Sequence, residues 1–398
     1  MTAPDLFSPG LFSETLHEIM QRINPGLEEL EPYEFRYCLN NLYPEDGGWA
    51  SVALDARSDI EARIQNRDFY NAIQIKPRVD GQIVLDEKIV RLARMLFVGL
   101  VTGAYPEAWV RAHFYFDVRG FYFLTRTVYF TDAVLAHLGG EPFQCFEQKQ
   151  RRLDRCQALG YKAFKGANAE VDQAFIEGVE KLVAAKGTPI VLAIAGPTAA
   201  GKTEIVERLR HTFALQGRQV TSMEMDNFLT DRDQREEKGI YTFGKAAIHF
   251  ELFRQGLEAL CQGRKITTPR YDFIDGTSSH ELDGTLKPGR VPIEIDPADL
   301  IFMEGNFPFL LEEVKPLIGI KVVYLTSDAI RIKRKWKRDI DYRKKYEPTY
   351  FRNRYFRGQF LMAEKCYRPQ MLLCDLVVDT TGAAIWATPE IQETLRTC

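Results

Sequence analysis

The chain has 398 residues, 45 % apolar and 27 % charged, with a formal net charge of −3, a size that supports more than one hydrophobic core. So slight a charge excludes general attraction to nucleic acid or to an acidic membrane surface. No apolar run long enough to span a membrane is present, and the opening MTAPDLFSPG lacks the basic and apolar regions of a secretory signal; the cysteines at 38, 145, 156, 261, 366, 374 and 398 contain no C-x-x-C pair for a metal and do not read as a disulfide framework, so a cytoplasmic location is expected.

Residues 11–23 have helical spacing and stop at Pro25-Gly26. Residues 87–100 form a second apolar-faced helix, ended before Gly103 and Pro106. Residues 109–117 alternate. Val110, Ala112, Phe114 and Phe116 fall on one face, and Arg111, His113, Tyr115 and Asp117 on the other, the pattern of a half-buried strand. Val118-Arg119-Gly120 turns the chain into a second strand at 121–130, which predicts an antiparallel hairpin. Arg111, His113, Tyr115 and Arg126 on that hairpin read either as a solvated face or as an anion contact. Residues 168–186 read as a helix. Gly187 after it marks a boundary between an α+β domain at 1–187, whose role the sequence leaves open, and a second domain at 188–398.

Beyond 188 the elements alternate. Strands are expected at 190–195, 219–225, 300–304, 320–325 and 375–379, and helices at 204–216, 246–261, from about 328, and at 356–373. Alternation of this kind predicts a parallel sheet covered by helices on both faces.

The run IVLAIAGPTAAGKT at 190–203 joins a buried strand to the pattern G-x-x-x-x-G-K-T, a phosphate-binding P-loop. Gly196, Pro197, Thr198, Ala199, Ala200, Gly201, Lys202 and Thr203 are the expected nucleotide-binding residues. Two glycines admit the backbone angles that aim successive N–H groups at an anion, and the following helix adds its positive end. Lys202 would reach the β- and γ-phosphates, and the Thr203 hydroxyl would ligate Mg²⁺.

Three further segments carry chemistry. Asp226 follows the second strand, where ligands gather in open α/β sheets. It reads as a base accepting the proton of an acceptor hydroxyl, or as a turn cap. Glu304 ends the apolar strand ADLIFME, the shape of an acid that holds Mg²⁺, and Gly305 would let the backbone pass close to the nucleotide. The basic run from Arg331 through Arg338, continued by Arg343, Lys344, Lys345, Arg352, Arg354 and Arg357, reads as a solvated face, a nucleic-acid patch or a lid whose guanidinium groups meet transferring phosphate. The low net charge argues against nucleic acid. Tyr271 and Phe273, after Thr268-Pro269-Arg270, read as core or as the wall of an acceptor pocket.

In this order GPTAAGKT, MDNF, LCQGRKITTPRYDF, ADLIFMEGN, RIKRKWKRDIDYR and RPQMLLCDLVVD resemble the uridine kinase/phosphoribulokinase family of P-loop kinases over residues 188–382. The resemblance implies an α/β P-loop NTPase fold with a helical lid, and Mg²⁺-dependent transfer of the γ-phosphate of ATP or GTP to an alcohol. It implies Asp226 as the catalytic Asp of the family's D-x-F motif, Glu304 as the metal-site acid and Arg338 as the lid arginine before Asp339. Lys335 falls where uridine kinases carry a second lid arginine, keeping the charge without the bidentate fork. Tyr271 and Phe273 match the aromatic pair of the acceptor site.

The departures bear on substrate. Uridine kinases carry F-D-H-P followed by an acid, and its first Asp holds the ribose. Here Phe243-Gly244-Lys245-Ala246 fills that place. The histidine after Y-D-F is also absent at its spacing, where Gly276 stands with His280 four residues on. The expected acceptor is therefore a small anionic molecule, a phosphorylated or carboxylated polyol, met by Lys245, Lys335 and Arg343. The alternatives are a non-catalytic nucleotide sensor, a uridine or cytidine kinase, and an RNA-directed protein resting on the basic run. ATP against GTP and assembly into a homo-oligomer stay open.

Overall fold

The computed structural model describes residues 5–23, 42–65, 76–79, 82–84, 87–117, 122–125, 129–146, 161–240, 243–326 and 362–397, together with Phe35, Arg36, Leu39, Arg331, Arg334, Lys335, Arg338 and Arg343. They gather into two compact units, one drawn from residues up to 127, the other from 128–152, 161–345 and 362 onward. Among them no helix is long and apolar enough to cross a membrane.

The first unit holds helices α1 (Pro9–Ile23), α2 (Arg57–Gln65), α3 (Glu87–Thr102) and α4 (Glu107–His113). It also holds two antiparallel hairpins, β1 (Lys76–Val79) with β2 (Gln82–Val84) and β3 (Phe114–Asp117) with β4 (Tyr122–Thr125). Its core forms where α1 presents Phe12, Leu16 and Met20 and α3 presents Ile89, Leu92 and Leu96, the three-and-four spacing of one helical face. Phe12 stacks on Trp49 with ring centres 4.5 Å apart.

The expected strand at 109–117 is half helix. Pro106 precedes α4 with φ −60° and Glu107 stands in its first turn, both favourable at a helix start. Alternation over five residues fits little more than one helical turn as well as it fits a strand. Arg111 and His113 therefore lie on α4, with His113 Nδ1 2.9 Å from the carbonyl of Trp109, and do not share a strand face. The second expected strand is present as β4, while Arg126 lies outside the described residues.

The second unit runs α5 (Asp132–His137), β5 (Gln144–Cys145), α6 (Tyr161–Lys186), β6 (Ile190–Ala195), α7 (Lys202–Leu215), β7 (Val220–Glu224), α8 (Arg232–Glu237) and α9 (Phe250–Cys261). It continues with β8 (Ile266–Thr268), β9 (Tyr271–Asp272), β10 (Thr277–Ser278), β11 (Ile293–Ile295), β12 (Leu300–Gly305), β13 (Ile320–Leu325), α10 (Arg368–Met371), β14 (Leu376–Asp379), β15 (Ala384–Ala387) and α11 (Pro389–Thr397). Its main sheet has the order β5-β15-β14-β13-β6-β12-β7. The five strands from β14 to β7 are parallel, and β15 and β5 add antiparallel edges.

Strand β6 is central, and all six of its residues are buried. Its parity divides the core. Ile190, Leu192 and Ile194 pack with α6, α7 and α11 through Phe175, Leu209 and Leu395. Val191, Ala193 and Ala195 face the layer of Phe253, Leu257, Met303 and Val377. Each fully buried aliphatic or aromatic side chain here contributes about 1.5–3 kcal/mol. The five expected strands of this half are present within two residues of their expected limits.

The two units do not divide at 187/188. Helix α6 begins at Tyr161, well before the expected 168, and buries Val171, Phe175, Val179, Leu182 and Val183 in the core shared with β6 and α7. That apolar face gives it to the second unit.

Candidate active site

The P-loop is shaped by two glycines. Gly196 has φ 151°, and a Cβ there would fall 2.3 Å from the main-chain oxygen of Tyr324. Gly201 starts α7 from φ 107°, a conformation an L side chain resists. Between them Ala199 takes φ 62°, which costs a non-glycine residue about 1–2 kcal/mol and is held by its surroundings. Thr326 at the end of β13 donates to the carbonyl of Ala200 at 2.8 Å. Tyr324, beneath the loop, donates its hydroxyl to Asp172 Oδ1 of α6 at 2.6 Å, while Arg208 holds Asp172 Oδ2 at 2.9 Å.

Above the C-terminal ends of β6, β7 and β12 the chemistry-bearing side chains meet. Thr203 Oγ1 donates to Glu304 Oε1 at 2.6 Å. Lys202 Nζ donates to the carbonyls of Gly196 and Pro197 at 2.9 and 3.1 Å and reaches Asn306 Oδ1 at 3.4 Å. Asn306 Nδ2 in turn donates to Asp226 Oδ1 at 3.3 Å. Asp226 rides the turn Met225–Phe228 that closes β7. Gly305 serves that turn, because a Cβ on it would fall 2.7 Å from Met225 Cβ.

Burial governs the charges. Glu304 is 7 % exposed, and desolvation pushes its carboxyl up to about 7, against the pull of Lys202 and Thr203 and with a further push from Glu224 and Asp226. Glu224, half-buried, is raised for the same first reason. Desolvation also lowers the Lys202 ammonium, while Glu304 and Asp226 draw it back up. Glu304 Oε2 is buried and has no hydrogen-bond partner among the described residues. An orphaned carboxylate oxygen beside a hydroxyl is a hard oxygen set that suits Mg²⁺. Among the described residues no cluster of three or more His, Cys, Asp or Glu could hold a metal.

From the basic run, Arg331, Arg334, Lys335 and Arg338 are helical. Arg338 Nη2 donates to Thr198 Oγ1 at 3.1 Å and Arg334 Nη1 to the carbonyl of Ala199 at 3.4 Å, so this segment reaches the P-loop. Lys335 is buried, at 5 % exposure. Lys344, Lys345, Arg352, Arg354 and Arg357 lie outside the described residues.

Next to Asp226 opens a groove of about 850 Å³, lined by Asn227, Tyr271, Phe273, Thr277, Ser279, Arg270, Arg290 and Arg343, among others. Tyr271 and Phe273 meet edge to face at 5.1 Å, and Arg343 lies 4.3 Å over the Phe273 ring. Tyr271 receives a hydrogen bond from buried Arg235 at 3.1 Å. The single carboxylate among the described lining residues, Asp272, accepts the backbone N–H groups of Ile274 and Asp275 at 2.8 and 3.1 Å. Behind the groove His280 bonds Ser279 at 2.8 Å and His249 bonds Ser278 at 3.0 Å.

Tyr271, Phe273 and Arg343 therefore come together, and Lys202, Thr203, Asp226 and Glu304 come together beside them. Lys245 does not join them. It is exposed, pairs with Glu313 and lies 4.7 Å over the Phe250 ring. Lys335 does not line the groove either.

The model of the phosphoribulokinase/uridine kinase family matches residues 191–384. A uridine kinase of Brevibacillus brevis is 32 % identical over 160 residues, 39 % of this chain and 69 % of that protein. The chain belongs to the phosphoribulokinase/uridine kinase family. A uridine kinase of Lactobacillus helveticus is 26 % identical over 197 residues, covering 49 % of this chain and 88 % of its own length. The D-glycerate 3-kinase structure from Cryptococcus neoformans var. grubii aligns at 12 % identity over 54 % of this chain and 97 % of its own, with a TM-score of 0.38, too faint a likeness to argue from. The strand order and P-loop of the chain itself carry the fold, and the family makes it a phosphotransferase with an alcohol group as acceptor.

Sequence reasoning missed Asn306 and Arg290, and it named Arg270 only within an aromatic and charged segment without singling it out. Asn306 directly follows the Glu-Gly pair that ends β12, and Arg270 directly precedes Tyr271, so position next to a motif is the signal that would have found both. Arg290 follows Pro288-Gly289 in a loop with no motif, and only the return of β11 beside β8 brings it to the groove.

Proposed function

We propose that the second unit is a Mg²⁺-dependent kinase that transfers the γ-phosphate of ATP or GTP to a hydroxyl of a small anionic acceptor. The observation that carries this reading is the gathering of Lys202, Thr203, Glu304 and Asp226 at one end of the sheet, Thr203 on Glu304 at 2.6 Å and Lys202 linked to Asp226 through Asn306 at 3.4 and 3.3 Å, next to a groove lined by Arg270, Arg290 and Arg343. The loop amides and Lys202 bind the phosphates. Thr203 and Glu304 would hold Mg²⁺, which neutralises charge on the β- and γ-oxygens. The acceptor oxygen forms its bond to the γ-phosphorus as the bond to the β-phosphate oxygen breaks, and Asp226 receives the hydroxyl proton. Arg338, reaching the loop through Thr198, stabilises charge on the transferring group.

The anionic acceptor is supported by the groove and not by Lys245, whose charge is met by Glu313. Arg270, Arg290 and Arg343 line the groove together with one carboxylate among the described residues, Asp272, which accepts two backbone N–H groups of a turn. Guanidinium groups of this kind recognise carboxylate and phosphate in two-pronged fashion. An anionic acceptor offers these guanidinium groups a charged partner that a neutral nucleoside lacks, which weighs against a plain uridine or cytidine kinase.

The test is ADP release from Mg²⁺–ATP over a panel of uridine, D-glycerate, D-fructose and ribose 5-phosphate, with Asp226→Asn as control. Acceptor-dependent release is expected, falling by about 10²–10⁴ in the control while nucleotide binding persists. Tight nucleotide binding with no acceptor-dependent release would instead favour a nucleotide sensor. Turnover that survives in Asp226→Asn would remove Asp226 as the base.

A further inference from the structure

Between the phosphate-binding lysine and the candidate base stands one side chain that the reading above does not use. Asn306 Oδ1 lies 3.4 Å from Lys202 Nζ, and Asn306 Nδ2 lies 3.3 Å from Asp226 Oδ1. The orientation of this amide follows from chemistry. An ammonium only donates and an ionised carboxylate only accepts, so the oxygen must face Lys202 and the nitrogen Asp226. Few side chains of this length satisfy both neighbours. An aspartate could accept from Lys202 but would repel Asp226, and a leucine of the same size would do neither.

The backbone of Asn306 is itself held. Gln370, 0 % exposed, donates from Nε2 to the carbonyl of Asn306 at 2.8 Å and to that of Cys366 at 2.9 Å, and its Oε1 accepts the N–H of Phe309 at 3.1 Å. A buried amide with every polar atom engaged is a rigid support. It fixes the start of the segment after β12, and with it the point from which the Asn306 side chain extends. Asp226 Oδ1 accepts this bond, and no side-chain hydrogen bond reaches Oδ2 among the described residues.

We propose that Asn306 is a positioning residue that sets the spacing between Lys202 and Asp226, and so between the phosphate to be transferred and the hydroxyl that receives it. This rests on the kinase reading, in which Lys202 binds the donor and Asp226 the acceptor. Reaching groups must approach to about 3–3.5 Å in line, and a displacement of about 1 Å costs on the order of a hundredfold in rate. Asn306 acts through both neighbours.

Asn306→Leu and Asn306→Asp test it, alongside wild type and Asp226→Asn, in the acceptor panel and as ligand-free crystals. Both substitutions keep the side-chain size and the main-chain carbonyl that Gln370 holds. The expected result is a kcat about 10- to 100-fold lower with the acceptor KM within about threefold. Asn306→Asp, which keeps the contact to Lys202, should lose as much as Asn306→Leu. In the Asn306→Leu crystal the Asp226 carboxylate should rotate away from its wild-type position. An Asp226 and Lys202 that stay in place, or a kcat that does not fall while Asp226→Asn is inactive, overturns the role of Asn306 and leaves the kinase reading standing. Turnover retained in Asp226→Asn overturns the base assignment and this proposal with it.

Discussion

Replacing Glu304 with glutamine should change how the stability of the second unit depends on pH. The carboxyl is pushed from an ordinary 4.5 up to about 7, chiefly by burial. Below pH 4.5 the group is protonated in folded and unfolded chains alike and contributes nothing. Between 4.5 and 7 the folded chain keeps a proton that the unfolded chain has lost, so stability falls as pH rises. Above 7 the full cost is reached. A rise of about two and a half pH units at about 1.4 kcal/mol each amounts to about 3 kcal/mol, an upper figure because water entry and side-chain relaxation soften it. Glutamine keeps the shape, accepts from Thr203 and never ionises. Urea unfolding in EDTA at pH 5 and pH 8 measures the difference. Glu304→Gln should lie within about 1 kcal/mol of wild type at pH 5 and exceed it by about 1–3 kcal/mol at pH 8. Mg²⁺ with ATP should then favour wild type, since a ligand that binds only the folded state stabilises it and the neutral amide is the poorer metal ligand. Parallel pH curves for the two proteins would refute the reasoning, because they would mean that Glu304 is ionised at no cost.

The groove makes a second prediction. Arg270→Ala and Arg290→Ala should each raise the KM for an anionic acceptor by about 5- to 50-fold, the loss of a charge-assisted hydrogen bond at a partly exposed site, with little change for a neutral one; Lys245→Ala should leave both within twofold by the same steady-state assay. His249 gives the opposite pH sign to Glu304. Desolvation first, then His280, holds its imidazole down at about 4, so its contribution is present above pH 6.5 and is lost as pH falls from 6.5 toward 4. His249→Asn, which cannot ionise, should flatten that loss by about 1–2 kcal/mol, read as a smaller drop in melting temperature between pH 7 and pH 4.5; an unchanged drop would mean that His249 already titrates freely in the fold.

The residues themselves determined those parts of the protein that depend on near neighbours in the chain. The P-loop is eight consecutive residues whose backbone angles call for glycine at 196 and 201, so its form and its use were legible together. Strands β6, β12 and β13 announce themselves as nearly continuous apolar runs, the pattern of strands covered on both faces; β6 and β12 are buried at all six positions and β13 at five, with Lys321 partly exposed. Where short patterns serve two structures, the chain alone was ambiguous, and Pro106 with Glu107 turned the first part of the expected strand at 109–117 into α4 while Phe114–Asp117 stayed strand as β3. Tertiary structure decided whatever depends on which strands lie side by side. The sheet order β7-β12-β6-β13 brings Thr203 to Glu304 across 101 residues, Lys202 to Asn306 across 104 and Asp226 to Asn306 across 80. It also decided the fate of the arginines and of Lys245. A charge read from sequence has no partner until the chain returns, and Glu313, 68 residues on, meets Lys245, while the pairing of β11 with β8 carries Arg290 to the groove that Arg270 also lines. Motif residues could be named early because phosphate binding is a backbone property of one short loop. The specificity of the acceptor site could not, because it is assembled from side chains whose neighbours only the folded sheet supplies.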